Sequence, residues 1–507
     1  MSSPSLRLRV PGIIACIVAC TAAPGCDGGP AAAPAASDAA VAVPDRGGLR
    51  LRLHAPVERP DLASPPAEQL RFLRRTVGSA DEPVVGAPLS DGRLRFEPLG
   101  PDVATQIMAE LRDASGVLLA RAEGPVAVVS AEEPDRDIEA LWLPVGAMVA
   151  ARSSDGAPLG QPVGAGAGVT VLSGGRLLVS GGADLGPCQP GKPTTISAAA
   201  TVLDPTAMRV EATWKLLDGR SHHGASALPG GRVALLGGYL AKAGVIGPNA
   251  GVELAVIHEA RSEGASVELA SARARFALAD DGEQLWLVGG DQEGTPNVEL
   301  FSIAVGTLAT APLVGTRLDP AAALHDDVRS SKRYLLVAGG RDGTGAARAD
   351  GQIYEVKGQS LLSVGTLPAV TPTAADPAWL LASSPLSVWR LGGAASGGAL
   401  ADVRRLSLLD PLLQWQVQPS LGVGRHCMAT AQREGGLWLF GGRDGDGAAS
   451  DAVEVVHAGT ERKVYTLGAG SVGAVAAPGP GHAWALVGGG GAATAGAPAL
   501  WLWLPPE

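Results

Sequence analysis

The sequence predicts an all-β protein built from short, repeated sheets, and three observations carry that prediction. Gly (70) and Pro (39) supply about one in five of the 507 residues, well above the roughly 12% usual for the pair. The chain is nevertheless 46% hydrophobic and only 18% charged, too apolar for a solvated disordered polymer. Gly-Gly doublets also close apolar runs at a regular spacing along two thirds of the chain. Many turns combined with many apolar residues mean short strands, and the absence of a strict three-residue glycine period excludes collagen.

The charges exclude some partners. Forty Lys and Arg against 50 Asp and Glu give a net charge of −10, spread along the chain. No basic block or stripe suggests nucleic acid. Mild acidity suits a soluble exported protein. The preference for Arg over Lys and the abundance of Ala read as codon bias of a GC-rich bacterial genome.

Residues 1–19 read as a signal peptide. Arg7 and Arg9 precede the apolar run Val10 to Ala19, which is far shorter than the roughly 20 residues that span a bilayer. Ile17-Val18-Ala19-Cys20 resembles the bacterial lipobox, which implies a lipid on Cys20; Cys26, after Ala23-Pro24-Gly25, is the alternative. Residues 20–48 are rich in Ala, Pro and Gly and read as a tether. Cys20, Cys26, Cys188 and Cys427 then remain, too few for a disulfide framework. Cys188 and Cys427 are expected as free thiols. No Cys/His cluster has zinc spacing, and no cofactor or metal is expected.

Residues 49–147 read as a small β-sandwich-like domain. Arg50 to His54 and Arg93 to Phe96 alternate in polarity. Ile107 to Arg112 and Val117 to Arg121 flank the turn Asp113-Ala114-Ser115-Gly116 and predict a hairpin. Val126 to Val129 and Ala140 to Leu143 add two strands, and Ala67 to Arg75 suits a helix.

Residues 148–507 carry the repeat. The doublets are Gly181-Gly182, Gly237-Gly238, Gly289-Gly290, Gly339-Gly340, Gly392-Gly393, Gly441-Gly442 and Gly488-Gly489, at intervals of 56, 52, 50, 53, 49 and 47. Apolar runs such as Gln284 to Val288 and Gly436 to Phe440 precede them and read as buried strands. After the doublets Val252-Glu253-Leu254, Val298-Glu299-Leu300 and Val453-Glu454-Val455 repeat one alternation. Asp204-Pro205 and Asp410-Pro411 mark turns, followed by Trp214 and Trp415, and Arg220, Arg275 and Arg425 open further strands.

This pattern resembles the kelch repeat. The resemblance implies seven four-stranded blades around an axis, a seven-bladed kelch-type β-propeller in which sheets bury both faces and expose only short edges. The first glycine of each doublet is expected to let blades approach, and the second to take positive φ. Only a loop and one strand (Ala499 to Leu504) follow the last doublet, so a strand within 138–152 is expected to complete the seventh blade.

No catalytic constellation emerges, and the chain is expected not to be an enzyme. The copper radical oxidases among kelch-like proteins need a Cys-linked Tyr, a second Tyr and two His; here Tyr occurs only at 239, 334, 354 and 465, and none adjoins a His. Asp444-Gly-Asp446 hints at a calcium loop but lacks a third ligand, with Ala448 in its place. Arg220, His223, Arg275, Arg425 and His426 are the candidate binding residues, because convergent Arg and His suit an anion or sugar carboxylate. The expected role is non-catalytic binding or scaffolding at the cell envelope. The partner would be a protein or glycan, the membrane contact a lipid anchor only, and the chain a monomer. The alternative is a sugar-active kelch-like enzyme of the sialic-acid mutarotase type. That alternative requires charged side chains converging on a pocket at the axis; a channel lined by Ala, Gly and Ser would count against it.

Overall fold

The computed structural model describes residues 48–506 apart from short stretches, the longest being 97–102, 185–190, 371–377 and 489–499. The signal peptide, Cys20, Cys26, nearly all of the tether, Cys188, Asp410-Pro411 and Gly489 lie outside the described residues.

Two sheets form the small domain. Ala87–Pro88, Leu94–Phe96, Leu49–His54 and Arg136–Leu141 make one, and Glu82–Val84, Leu70–Thr76, Thr105–Arg112, Leu118–Glu123 and Leu143–Pro144 the other. Leu49, Leu51, Phe96 and Ile138 of the first meet Ile107, Ala109, Leu111 and Ala120 of the second in one core. Thr105–Arg112 and Leu118–Glu123 form the expected hairpin. Asp113 Oδ1 accepts from the N–H groups of Ser115 and Val117 and sets the turn between them. The run considered helical over 67–75 is instead the strand Leu70–Thr76, paired on both sides. Its apolar residues have neighbours across two strands, and tertiary pairing overrides the local preference.

Beyond residue 147 the strands fall into successive antiparallel sheets, numbered here as blades in chain order; six have four strands, the sheet of blade 2 has seven, and Ala394–Ala395 with Gly398–Ala399 makes a separate two-stranded ribbon. Blade 1 runs Gly168–Val171, Leu177–Ser180, Ala199–Asp204 and Arg209–Lys215. The innermost strands of blades 2 to 7 are Gly224–Leu228, Ala277–Asp280, Ala321–Asp327, Ala378–Ser383, Ala429–Arg433 and Val475–Pro478. Each of these strands touches the next, and the last touches the first. Separate apolar clusters fill the borders between neighbouring blades all the way round. The second strands lie inside this stack, so Leu177–Ser180, Leu285–Val288 and Trp484–Val487 are buried throughout. That is why the runs before the doublets are continuously apolar instead of alternating.

Closure follows the expectation. Met148–Ala150 pairs antiparallel with Leu500–Trp503, with Val149 opposite Leu502, and supplies the fourth strand of blade 7. Val149, Leu500 and Leu502 share a core with Leu177 and Val179 of blade 1. The first and last thirds of the chain are thus stitched within one sheet.

The doublets end the second strands, and both glycines take positive φ, not only the second. Gly181 and Gly182 stand at +66° and +108°, Gly441 and Gly442 at +58° and +106°. A Cβ on Gly441 would collide with the Ser471 carbonyl of the connection entering the next blade. The Gly442 N–H donates to that same carbonyl at 2.7 Å. One doublet therefore turns the chain out of its strand and docks the following blade.

Candidate functional site

Four of the described connections that enter blades carry an arginine turned into the blade. Arg220 Nη1 donates to the carbonyls of Leu235 and Gly237, and Nη2 pairs with Glu253 at 2.7 Å. Arg425 repeats this with the Gly441 carbonyl at 2.9 Å and Glu454 at 3.0 Å. Arg273 pairs with Glu299 at 3.0 Å, and Arg317 with Asp350 at 2.9 Å. The other carboxylate oxygen of each Glu accepts from the same connection: Leu217, Ala270 and Gly422 N–H groups reach Glu253, Glu299 and Glu454. In blade 4 two residues share the task, Gln352 taking the Val314 N–H and Asp350 the guanidinium. The repeated Val-Glu-Leu pattern is therefore a brace, in which a buried carboxylate ties the incoming chain to the third strand. Burial pulls all four guanidinium pKa values down, and the facing carboxylates oppose it.

These contacts relocate two of the sequence candidates. Arg220 and Arg425 are buried inside their blades with both terminal nitrogens bonded in the brace, so they do not present a ligand surface. Arg275 is not their counterpart; Arg273 is. His223 and His426 are likewise out of register, because His223 lies three residues after its brace arginine and His426 one. The His223 ring is enclosed by Gly168, Gly181 and Gly238, with Nε2 2.9 Å from Ser180 Oγ. Burial, then the nearby Arg220 charge, lowers its pKa to about 3. His223 Nδ1 has no hydrogen-bond partner, so no third group orients this Ser–His pair as nucleophilic catalysis requires. His426 pairs through its backbone with Arg443, and its Nδ1 lies 3.1 Å from Cys427 Sγ.

Two residues after each brace position the chain adopts the left-handed conformation. Gly166, His222, Arg275, Asp319, Cys427 and Gly473 all have φ between +50° and +66°. Their backbones join blade to blade: His222 N–H donates to Gly166 O (2.6 Å), Arg275 to His222 O (3.0 Å), Asp319 to Arg275 O (2.8 Å), and Gly473 to Cys427 O (3.2 Å). The corresponding connection of blade 5 lies outside the described residues. These linked connections form the rim of the ring of inner strands, at the point where those strands begin.

The rim side chains hold one another. The Arg275 guanidinium forms an ion pair with Asp319, and its Nη1 donates to the Gly191 carbonyl at 3.4 Å. The His222 ring meets the Tyr239 ring edge-on at 5.8 Å. Tyr239 OH donates to Asp291 at 2.8 Å, and Lys192 Nζ lies 3.8 Å from the same carboxylate. Burial lowers the His222 pKa, with Asp319 pulling up and Arg275 down. Burial, then the bond to Asp291, raises that of Tyr239. Arg275 is the one sequence candidate found here in an ion pair at the rim surface; His222, Asp319, Tyr239 and Asp291 were missed. The usable signal was the two-residue offset from each brace position, which aligns His222, Arg275, Asp319 and Cys427 once the arginines are set in register.

Two expectations about special residues change. Cys427 is disulfide-bonded, not a free thiol, because cysteine pairing depends on distance in the fold and not on spacing along the chain. Asp444 is a turn residue: its Oδ1 accepts from the N–H groups of Asp446 (3.1 Å) and Ala448 (2.9 Å). Asp342 does the same for Thr344 and Ala346 in the matching loop of blade 4. Below the rim the inner strands carry mainly small residues. A cavity of about 210 Å³ between the inner strands of blades 4 and 5 is lined by Ala321, Ala322, Ala323, Leu336, Ala338, Trp379, Val388 and Gln432.

No family model and no curated protein matches the chain. Among solved structures, YjhT aligns at 12% identity with a TM-score of 0.44, covering 61% of this chain and 99% of its own. A fungal alcohol oxidase of the AA5 family, in complex with copper, aligns at 17% identity with a TM-score of 0.49, covering 72% of this chain and 76% of its own. At these values the strand pairing above remains the basis for the fold, and no residue role is carried across.

Proposed function

We propose that the chain is a non-catalytic binding protein of the bacterial cell envelope, exported, lipid-anchored through Cys20, and recognising a protein or glycan at the rim of its propeller. One observation carries the reading. Of six equivalent left-handed positions at the rim, two are Gly and four are His222, Arg275, Asp319 and Cys427. A side chain there costs about 1 kcal/mol or more relative to glycine, and such strain concentrates at functional sites. Cys427 has its disulfide as a reason, which also fits an oxidising compartment. The other three form a mixed-charge, mutually paired cluster with Asp319 exposed, suited to recognition.

The test is a binding screen of glycans and envelope proteins with the compact unit 45–507, repeated with His222→Gly and Asp319→Gly. The variants are expected to lose the ligand while keeping or slightly raising the thermal midpoint. Variants that bind as well as the wild type would sink the proposal. The sugar-active alternative draws on the same Arg275, His222 and Asp319 cluster, while the Ala-lined cavity beneath counts against it. Accelerated anomer exchange of an acidic sugar, lost on substituting His222, would favour that alternative.

A further inference from the structure

A second concave site lies on the opposite face of the ring. The rim residues precede the inner strands, whereas Arg433 ends the inner strand Ala429–Arg433, and His482 lies in the turn between Val475–Pro478 and Trp484–Val487. Around these residues the small domain, blade 6, blade 7 and the last residues of the chain enclose a cleft of about 450 Å³. That size is typical of small-molecule sites, which favour domain borders.

One wall of the cleft is aromatic. Trp438 and Tyr465 lie nearly parallel, 6.3 Å apart and 11° from coplanar orientation, and both are only half-buried. Trp484 and Trp503 pack against Trp438 at 5.5 and 6.2 Å. This concentration is notable in a chain with 4% aromatic residues. The remaining walls are basic: Arg121, Arg433, His457, Lys463 and His482 line them, and among the described residues no acidic side chain lines the cleft. The whole chain carries −10, so a cleft of this composition runs against its average.

The basic groups are positioned rather than loose. Arg433 donates to the carbonyls of His482 (2.6 Å) and Ala483 (2.9 Å) and stacks 3.9 Å over the Trp484 ring. Arg121 is held at 2.5 Å by Glu110 on the neighbouring strand. Glu123 lies two residues beyond Arg121 and 4.0 Å from it, with both carboxylate oxygens buried and without a hydrogen-bond partner. Burial raises its pKa, and the charges of Arg121, His482 and Arg75 oppose that rise. Lys463 is exposed at the edge.

We propose that this cleft binds a small anion that carries a ring. The ring face lies on Trp438 and Tyr465, and the carboxylate or phosphate is met by Lys463, His457 and His482. Charge-assisted hydrogen bonds to such groups are the strong ones, and an aromatic wall supplies apolar area with defined geometry. The inference is independent of the rim, so either can fail alone.

The experiment titrates the full chain with glucuronate, benzoate and inorganic phosphate, followed by tryptophan fluorescence and calorimetry at low and high salt. A saturable, salt-sensitive signal is expected from at least one ring-bearing anion, with phosphate alone weaker. Glucuronate binding without benzoate identifies an acidic sugar as the ligand class, and the reverse identifies an aromatic acid. Lys463→Glu, at an exposed position, should weaken binding at least about tenfold, and His482→Ala should weaken it less. The proposal is overturned if neither ring-bearing anion saturates, if phosphate binds as tightly as they do, or if both variants bind undiminished.

Discussion

Two residues separate an arginine held inside a blade from one at the rim. Arg273 is buried with Glu299, while Arg275 sits at the rim with Asp319. The brace carboxylates Glu253, Glu299 and Glu454 are fully buried, and removing one partner of such a pair typically costs about 3–5 kcal/mol. Arg220→Met is therefore expected to lower the thermal midpoint sharply, by leaving Glu253 buried opposite an apolar side chain; an unchanged midpoint would contradict the brace. His223 gives a pH dependence. Its pKa is about 3 in the fold, against roughly 6.5 in the unfolded chain. Between these values the unfolded chain binds a proton that the fold does not. This contribution to stability is complete above pH 6.5 and falls as pH drops towards 3, by at most about 1.4 kcal/mol per pH unit. Urea midpoints measured across that window should fall less steeply for His223→Gln than for the wild type. Parallel curves would show that the ring does not resist protonation. The arginines were visible in the sequence, but their register was not. Arg220, Arg275 and Arg425 look alike as strand openers, and only the distance to Glu253, Glu299 or Glu454 sorts them.

At the level of elements, the doublets separate two kinds of glycine. Gly435 has φ of +73° in an exposed turn with open space around it, whereas Gly441 has φ of +58° and faces the Ser471 carbonyl. Gly435→Ala should cost only the left-handed penalty, about 1–2 kcal/mol. Gly441→Ala adds a backbone collision at a blade border and is expected to prevent folding or to leave an aggregating chain, as size-exclusion chromatography would reveal. The second strands and doublets were legible because burial on both faces demands an unbroken apolar run and the exit demands glycine. The rim was not legible. A residue at positive φ carries no mark in the sequence when it is His222, Arg275 or Asp319 instead of glycine. The small-domain strand Leu70–Thr76 was misread for a related reason: one of its two partners, Thr105–Arg112, lies far along the chain, outside any local window.

Over the whole molecule, stability depends on one short sheet that joins distant parts of the chain. Met148–Ala150 completes the blade that ends with Leu500–Trp503, and Trp503 Nε1 donates to the Thr466 carbonyl of blade 6 at 3.0 Å. Val149→Pro should open the ring between blades 7 and 1, since proline disrupts strand pairing. The expected result is faster limited proteolysis near residues 148–165 and loss of a single cooperative unfolding transition. A wild-type cleavage pattern would mean that closure does not rest on this strand. The same sheet brings the small domain against blades 6 and 7, which is where the cleft forms. Neither Arg121 nor Lys463 has a sequence relation to the other, so that site exists only once the ring is shut.

The sequence by itself determined the all-β class, the repeat and its period, the buried second strands and the need for a closing strand. These follow from local rules, because apolar runs and glycine exits recur wherever a sheet is packed on both faces. Tertiary structure alone decided which arginines brace the blades, that Cys427 is bonded, which side chains crown the rim, and that a basic, aromatic-walled cleft lies beneath. Each of those depends on distances between residues far apart in the chain. Such distances are set by how the sheets stack into a ring, and no local pattern records them.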